Sequence, residues 1–298
     1  PLLLATVSAY SAQTSVPDEY NRYFSQDSHL SSSVNTRVLA ASDLMMGKPY
    51  QFDSHGDAEG DAFDPRPLYT TESFDCMTFV TTILAMVESN NLDDFYRTLR
   101  LVRYGSLQPS YFHRHHFIST EWNPANTSLG FIRDISTKIT AHDGTPLAQV
   151  NTEIINYPNW LLFQKKHFSQ SSTWTRQQER AWQSAYQRSQ QELAVLTYIP
   201  LAKVFLDNGD ADPAILQQIP GGSVIEFVTP GWDLRNAIGT KLDVMHLGLV
   251  VEKAGVKFLR HAKIRDKVTE IPLADYLTFL RDQVPRAQGF HIEKIHLS

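Results

Sequence analysis

Cysteine is almost missing from this chain: Cys76 is the single one in 298 residues. One thiol excludes an intramolecular disulfide and any metal site built on cysteines. An excess of positive charge is missing too. Lysine and arginine number 27 against 32 acidic residues, a net charge of −5. That argues against a nucleic-acid partner, because phosphate recognition needs a basic surface. No apolar run approaches the roughly eighteen residues of a membrane span, so no membrane-spanning segment is expected.

What is present is ordinary globular material, 42% hydrophobic and 20% charged. Residues 1–35 read as an N-terminal arm. Within it, residues 1–12 (PLLLATVSAYSA) resemble the end of a signal-peptide apolar region, with a short apolar arm packed on the body as the other reading. Residues 36–298 read as one domain, with a helical insertion at about 150–215. Its fold class is α+β.

The chain is organised around Glu72-Ser73-Phe74-Asp75-Cys76-Met77-Thr78-Phe79-Val80. After the cysteine, Phe79, Val80, Ile83, Leu84 and Val87 recur at the three-and-four spacing of one buried helix face. Cys76 therefore falls at the first helical turn, where unpaired N–H groups and the positive end of the helix dipole favour a thiolate.

Upstream, residues 38–46 read as helix, stopped by Gly47 and Pro49, and residues 51–70 as a long loop ahead of the cysteine. Downstream, residues 92–102 look like a second helix. Residues 111–117 (YFHRHHF) carry three histidines in four positions. Adjacent His115 and His116 cannot easily share one ion, so an aromatic, basic, substrate-facing loop is expected there and no metal, with a plain surface loop as the other reading. Residues 132–150 could supply strands, and residues 175–196 read as a long polar helix. From residue 219 the pattern changes to short strands at 223–228, 244–251, 256–262 and 289–295, which suggests an antiparallel sheet.

A cysteine nucleophile needs a base, and the base an orienting group. If residues 252–255 form a four-residue loop, Val251 faces Val256, and His246 and His261 become direct cross-strand neighbours on one face. A three-residue loop would send His261 to the other face. Gly248 on the histidine face leaves room there, while Leu247, Leu249 and Val251 face packing.

Gly47-Lys48-Pro49-Tyr50, Phe74-Asp75-Cys76, Pro220-Gly221-Gly222-Ser223-Val224-Ile225, His246-Leu247-Gly248-Leu249-Val250 and His261-Ala262 follow the motif order of NlpC-type papain-like cell-wall hydrolases. The chain more closely resembles their N-acetylmuramoyl-L-alanine amidase-like branch, through Thr78-Phe79-Val80, Arg114-His115-His116-Phe117 before Trp122, and Tyr198-Ile199-Pro200. It departs from the pattern at Ser223, where an Asp is usual, at Thr81, where an acid is frequent, and in the long stretch from Tyr50 to Cys76. The resemblance implies a papain-like core in which the cysteine helix packs on the sheet. Cys76 would be the nucleophile, His246 the base and His261 the orienting group, with no cofactor. Tyr50 would line the site and help hold an oxyanion. Asp75, Arg114 and His116 would contact substrate, Arg114 by pairing a carboxylate bidentately.

The implied substrate is peptidoglycan or its muropeptide fragments, in the periplasm or outside the cell. The bond would be the muramoyl–L-alanine amide or, alternatively, a D-glutamyl–diamino-acid bond. Acyl transfer to an amine and a catalytically silent wall-binding module are the other readings.

Overall fold

Ten residues in succession, Thr78 to Val87, are buried in the helix that Cys76 opens. The sequence suggested one buried face. A helix apolar all round is instead a central one, and here it is enclosed by helices on one side and a sheet on the other. The computed structural model describes residues 17–25, 32–58, 60–171 and 174–297. The signal-peptide reading of residues 1–12 lies outside the described residues.

In chain order, α1 (Asp18–Phe24), α2 (Val34–Asp43), α3 (Cys76–Val87) and α4 (Leu92–Tyr104) come first. A five-residue π-turn (Ile118–Trp122) runs into α5 (Asn123–Ser128), followed by β1 (Ile132–Asp134) and β2 (Gln149–Asn156). Helices α6 (Tyr157–Ser171) and α7 (Arg176–Arg188) lead to β3 (Gln191–Pro200), the short α8 (Pro213–Gln217) and β4 (Ser223–Asp233). The chain ends with α9 (Arg235–Ile238), β5 (Lys241–Lys253), β6 (Val256–Ala262), β7 (Val268–Pro272), α10 (Leu273–Gln283) and β8 (Gly289–Ile295). The strands form one sheet in the order β2-β3-β8-β4-β5-β6-β7, with β1 also beside β8, and every pairing is antiparallel.

The sheet has a core on each face. Leu247, Leu249 and Val251 of β5 pack with Val224 beneath α2, α3 and α4. Val250, Ile225, Phe227 and Leu259 pack on the other face against Leu273, Leu277 and Leu280 of α10. The N-terminal arm is part of the first core. Tyr20 and Tyr23 of α1 are buried, and Glu19 pairs with Lys48 at 2.8 Å.

The insertion is not purely helical. The predicted helix at 175–196 stops at Arg188, and residues 191–200 form a strand, paired along its length with β2 from Asn156↔Gln191 to Gln149↔Tyr198. Alternation at Ala194 and Leu196, both buried, between exposed Leu193 and Val195 fits a half-buried strand. Helices α6 and α7 fold back onto the early loops. Trp160 and Trp182 pack with Tyr111 and Phe63, and Gln178 donates to the Ala62 carbonyl at 2.6 Å. Among the described residues no helix is long and apolar enough to cross a membrane.

Candidate active site

Cys76 is the first residue of α3. Asp75 before it closes a capping box. Its Oδ1 accepts from the Thr78 N–H at 2.7 Å, and the Thr78 hydroxyl lies 2.9 Å from the Asp75 N–H. The other carboxylate oxygen accepts from the Asp53 N–H at 2.8 Å. Both oxygens of Asp75 thus serve the chain itself, and the residue expected to touch substrate is a helix cap tying the long loop to the cysteine.

Tyr50 is brought in from behind. The Gly47 and Tyr50 N–H groups donate to the Val268 and Asp266 carbonyls, and the Gln51 N–H donates to Phe74 at 3.0 Å. The strap from 47 to 51 is thereby fixed between β7 and the residue two before Cys76. Tyr50 is half-buried there, and its phenol is pushed up to about 12 by burial and by the neighbouring thiol and Asp75 carboxyl.

The two histidines come from the β5–β6 hairpin, joined by a shorter turn than the sequence suggested. Lys253 faces Val256, so the turn is only Ala254 and Gly255, both at positive φ (49° and 78°), as a tight two-residue hairpin requires. The register moves by two residues relative to a four-residue loop. An even shift keeps both histidines on one face, but they meet diagonally. His246 Nε2 lies 2.6 Å from Nδ1 of His261. Gly248 permits this approach: a Cβ there would stand 3.0 Å from the His261 Cβ and 2.7 Å from the Arg260 carbonyl oxygen.

The helix and the imidazoles occupy opposite faces of the sheet, and they approach each other where the hairpin opens. The β5–β6 ladder ends at Leu249↔Arg260, whereas β6 stays paired with β7 through Ala262↔Val268. Hydrogen-bonded pairs recur at every second residue from the turn, which aims the Leu247 N–H toward β6 beyond the ladder's end. The main-chain N–H groups of Leu247, Met77 and Cys76 lie near enough to the Cys76 sulfur to favour its charged form. The thiol therefore lies near the residue that follows His246, and among the described residues the Nδ1 of His246 has no hydrogen-bond partner.

Burial works against the thiolate expected from the helix start. Burial, with the Asp75 carboxyl adding to it, pushes the Cys76 thiol up to about 12, against the three N–H groups. Burial and the neighbouring His261 hold His246 down at about 3, and burial holds His261 at about 4. Desolvation outweighs the helix end and favours a neutral thiol beside neutral imidazoles.

Arg114 is not free to take a substrate carboxylate. Its guanidinium donates to Asp57 at 2.9 and 2.5 Å, to Asp64 at 2.5 Å and to Asp53 at 3.1 Å, and Arg66 shares Asp64 and Asp53. It is the hub that folds the 53–66 loop. His116 is also committed. Its Nε2 sits 2.8 Å from the Tyr111 carbonyl, its ring packs on Trp160, and burial lowers it to about 3. His115 Nδ1 lies 3.2 Å from the Val102 carbonyl, so the two adjacent histidines turn to different partners. Arg114, His115 and His116 nonetheless wall a cavity of about 170 Å³ with Asp53, Asp75 and Met77, beside the tip of α3.

Two groups beside the candidate site were missed in the sequence. Tyr276 of α10 places its ring 5.2 Å from that of His261 and 6.5 Å from that of His246. Burial raises its phenol, and the nearby Cys76 thiol raises it further. The signal available was the helical spacing of Leu273, Leu277 and Leu280. The Leu247 N–H is main chain and leaves no mark on residue type.

Several solved structures share this fold. A Legionella pneumophila protein of the DUF1460 family matches with a TM-score of 0.84 and 29% identity over 93% of each chain. An N-acetylmuramoyl-L-alanine amidase from Bacteroides uniformis matches with a TM-score of 0.60 and 21% identity, over 89% of this chain and 99% of the other. A putative xylanase from Bacteroides fragilis matches at 0.56 and 23%, over 84% of this chain and 96% of the other. At those last two identities the likeness is one of fold. No curated protein sequence matches at a significant level. A family model does match, over residues 40–282, and by it the chain belongs to the AmiA-like family, described as N-acetylmuramoyl-L-alanine amidase-like.

Proposed function

We propose that the protein is a cysteine-dependent amide hydrolase of the NlpC-type, papain-like kind, acting on peptidoglycan at the N-acetylmuramoyl–L-alanine bond. The family is described as amidase-like for that bond, and the Bacteroides uniformis structure of the same fold carries that name. The observation that carries the cysteine mechanism is the sulfur at the tip of α3, beside the residue after His246, with His246 itself bonded through Nε2 to His261. A cell-wall substrate puts the site of action in the periplasm or outside the cell.

Substrate binding brings the thiol onto the free Nδ1 of His246. The sulfur attacks the amide carbonyl as its proton passes to Nδ1. The tetrahedral oxyanion is met by N–H groups at the start of α3 and by the Tyr50 hydroxyl. The C–N bond then breaks, the imidazolium gives its proton to the departing amine, and a thioester remains on Cys76. Water, deprotonated by His246, attacks the thioester and releases the carboxylic acid and the thiol. For Nδ1 to be basic, Nε2 must carry the ring proton, and it donates to Nδ1 of His261. His261 fixes that tautomer without supplying the full negative charge of an Asp.

Mass spectrometry of purified muropeptides after incubation with wild type and Cys76→Ala tests this. Release of an intact stem peptide beginning at L-alanine, absent with Cys76→Ala, is the expected result. Cleavage after D-glutamate would move the activity to the stem-peptide bond. No cleavage at all would leave a wall-binding module.

A further inference from the structure

The two histidines of the proposed site also line a cavity of about 590 Å³, between the hairpin, β7 and α10. That volume is within the range of small-molecule sites, roughly 300–1,000 Å³. Its walls are apolar: Met245, Ile264, Ile271, Tyr276, Phe279 and Val284. The charged groups at its rim are already paired, Glu270 with Arg260 at 2.6 Å and Lys263 with Asp266 at 3.1 Å. Ile264 and Phe279 stand 53% and 48% exposed at its mouth. The cavity at the tip of α3 is mixed in character, with Asp53, Arg103, Arg114 and two histidines beside Phe52, Met77 and Trp122.

A muramoyl peptide presents hydroxyls, amides and carboxylates, with only two methyl groups next to the scissile amide. Seated against isoleucine, methionine and phenylalanine, its polar groups would lose water and gain no partner. A hydrocarbon chain would gain roughly fourfold in affinity per buried methylene.

We propose that this cavity is a subsite for an aliphatic chain on an amide substrate. The Cys76–His246–His261 site would then accept amides carrying such a chain on one side of the scissile bond. The occupant follows from continuity, since both imidazoles are part of the wall and a chain lying there touches the reacting group. The proposal rests on the cysteine amide-hydrolase reading for its chemistry, which is the same hydrolysis, but its binding test needs no turnover.

That test is isothermal titration of Cys76→Ala protein with butanamide and octanamide, and with N-butylacetamide and N-octylacetamide. The first pair places the chain on the acyl side and the second on the amine side. The expected result is that the octyl compound binds at least about tenfold more tightly than its butyl counterpart in one series. Phe279→Asp and Ile264→Asp, both at partly exposed positions, should each remove that difference. Equal affinity for both chain lengths in both series would overturn the proposal. So would a chain-length preference that neither substitution touches. Wild-type muropeptide cleavage, measured separately, keeps the two readings apart. Cleavage without a chain-length preference removes the subsite alone, and the preference without any cleavage removes the hydrolase alone.

Discussion

His246 Nε2 and His261 Nδ1 lie 2.6 Å apart, and among the described residues His246 Nδ1 has no partner. In the proposed mechanism the first contact sets the tautomer and the second leaves the base position open. In His261→Asn, an amide oxygen can still accept from Nε2, so muropeptide turnover should fall by less than about tenfold. In His261→Ala, the ring is freed to rotate and to take the other tautomer, and kcat should fall by about 10²-fold or more, with KM little changed. Equal losses in both variants would mean that His261 acts by packing alone.

The neutral resting pair predicts how the free thiol reacts. Alkylation of Cys76 by iodoacetamide, followed from pH 5 to 10, should climb steadily through neutral pH. A preformed thiolate–imidazolium pair would instead give a plateau that begins well below the ordinary thiol range near 8.5. Finding that plateau would mean that burial is not what governs this sulfur.

Gly248→Ala tests the close approach inside the hairpin. The new methyl would meet the Arg260 carbonyl oxygen at 2.7 Å and crowd the His261 Cβ. Stability should drop by about 1–3 kcal/mol, and turnover should fall further than in a surface Gly→Ala control. Urea melts and muropeptide kinetics on one preparation measure both.

Arg114 separates a structural role from a substrate role. Arg114→Ala would leave buried Asp57 without its guanidinium partner and Asp64 with Arg66 alone. The expected cost is about 3–5 kcal/mol in a denaturant melt. A rise in KM with unchanged stability would instead restore the carboxylate-binding role suggested by its sequence context.

A second polar cluster gives the pH dependence of stability. Glu226 is fully buried, with Oε2 accepting from Asn123 at 3.0 Å and Oε1 unpartnered, and its carboxyl is raised to about 8, chiefly by burial. The folded protein therefore holds a proton that the unfolded chain releases above about 4.5. This group's contribution is present at low pH and is lost as pH rises through 8. His246 and His261 act with the opposite sign. Their folded values lie below the unfolded imidazole value, so stability declines as pH falls from about 6.5 toward 4. Glu226→Gln, scanned by thermal melts from pH 6 to 9, should flatten the alkaline decline and leave the acid limb intact. An unchanged alkaline limb would place that decline elsewhere.

The helix start at Cys76, the hairpin and the shared face of the two histidines could be read from residue types. Each rests on local periodicity, and an even error in loop length does not change the face. The strand at 191–200 was hidden because residues 175–190 are strongly helical and the polar Gln190-Gln191-Glu192 carries no break in pattern. The roles of Arg114 and Asp75 were not legible for another reason. Their partners Asp53, Asp57 and Asp64 lie in an irregular loop that periodicity cannot fold. The burial that opposes a thiolate was not legible either, because a helix end is visible in sequence and the depth at which it is buried is not.

Intact-mass spectrometry of the protein, acid-quenched during muropeptide turnover and then digested, addresses the central claim most directly. A mass increment equal to the muramoyl acyl group, confined to the peptide containing Cys76 and absent from Cys76→Ser protein, is the predicted result. Undiminished cleavage of the same muropeptide by Cys76→Ala protein would contradict it.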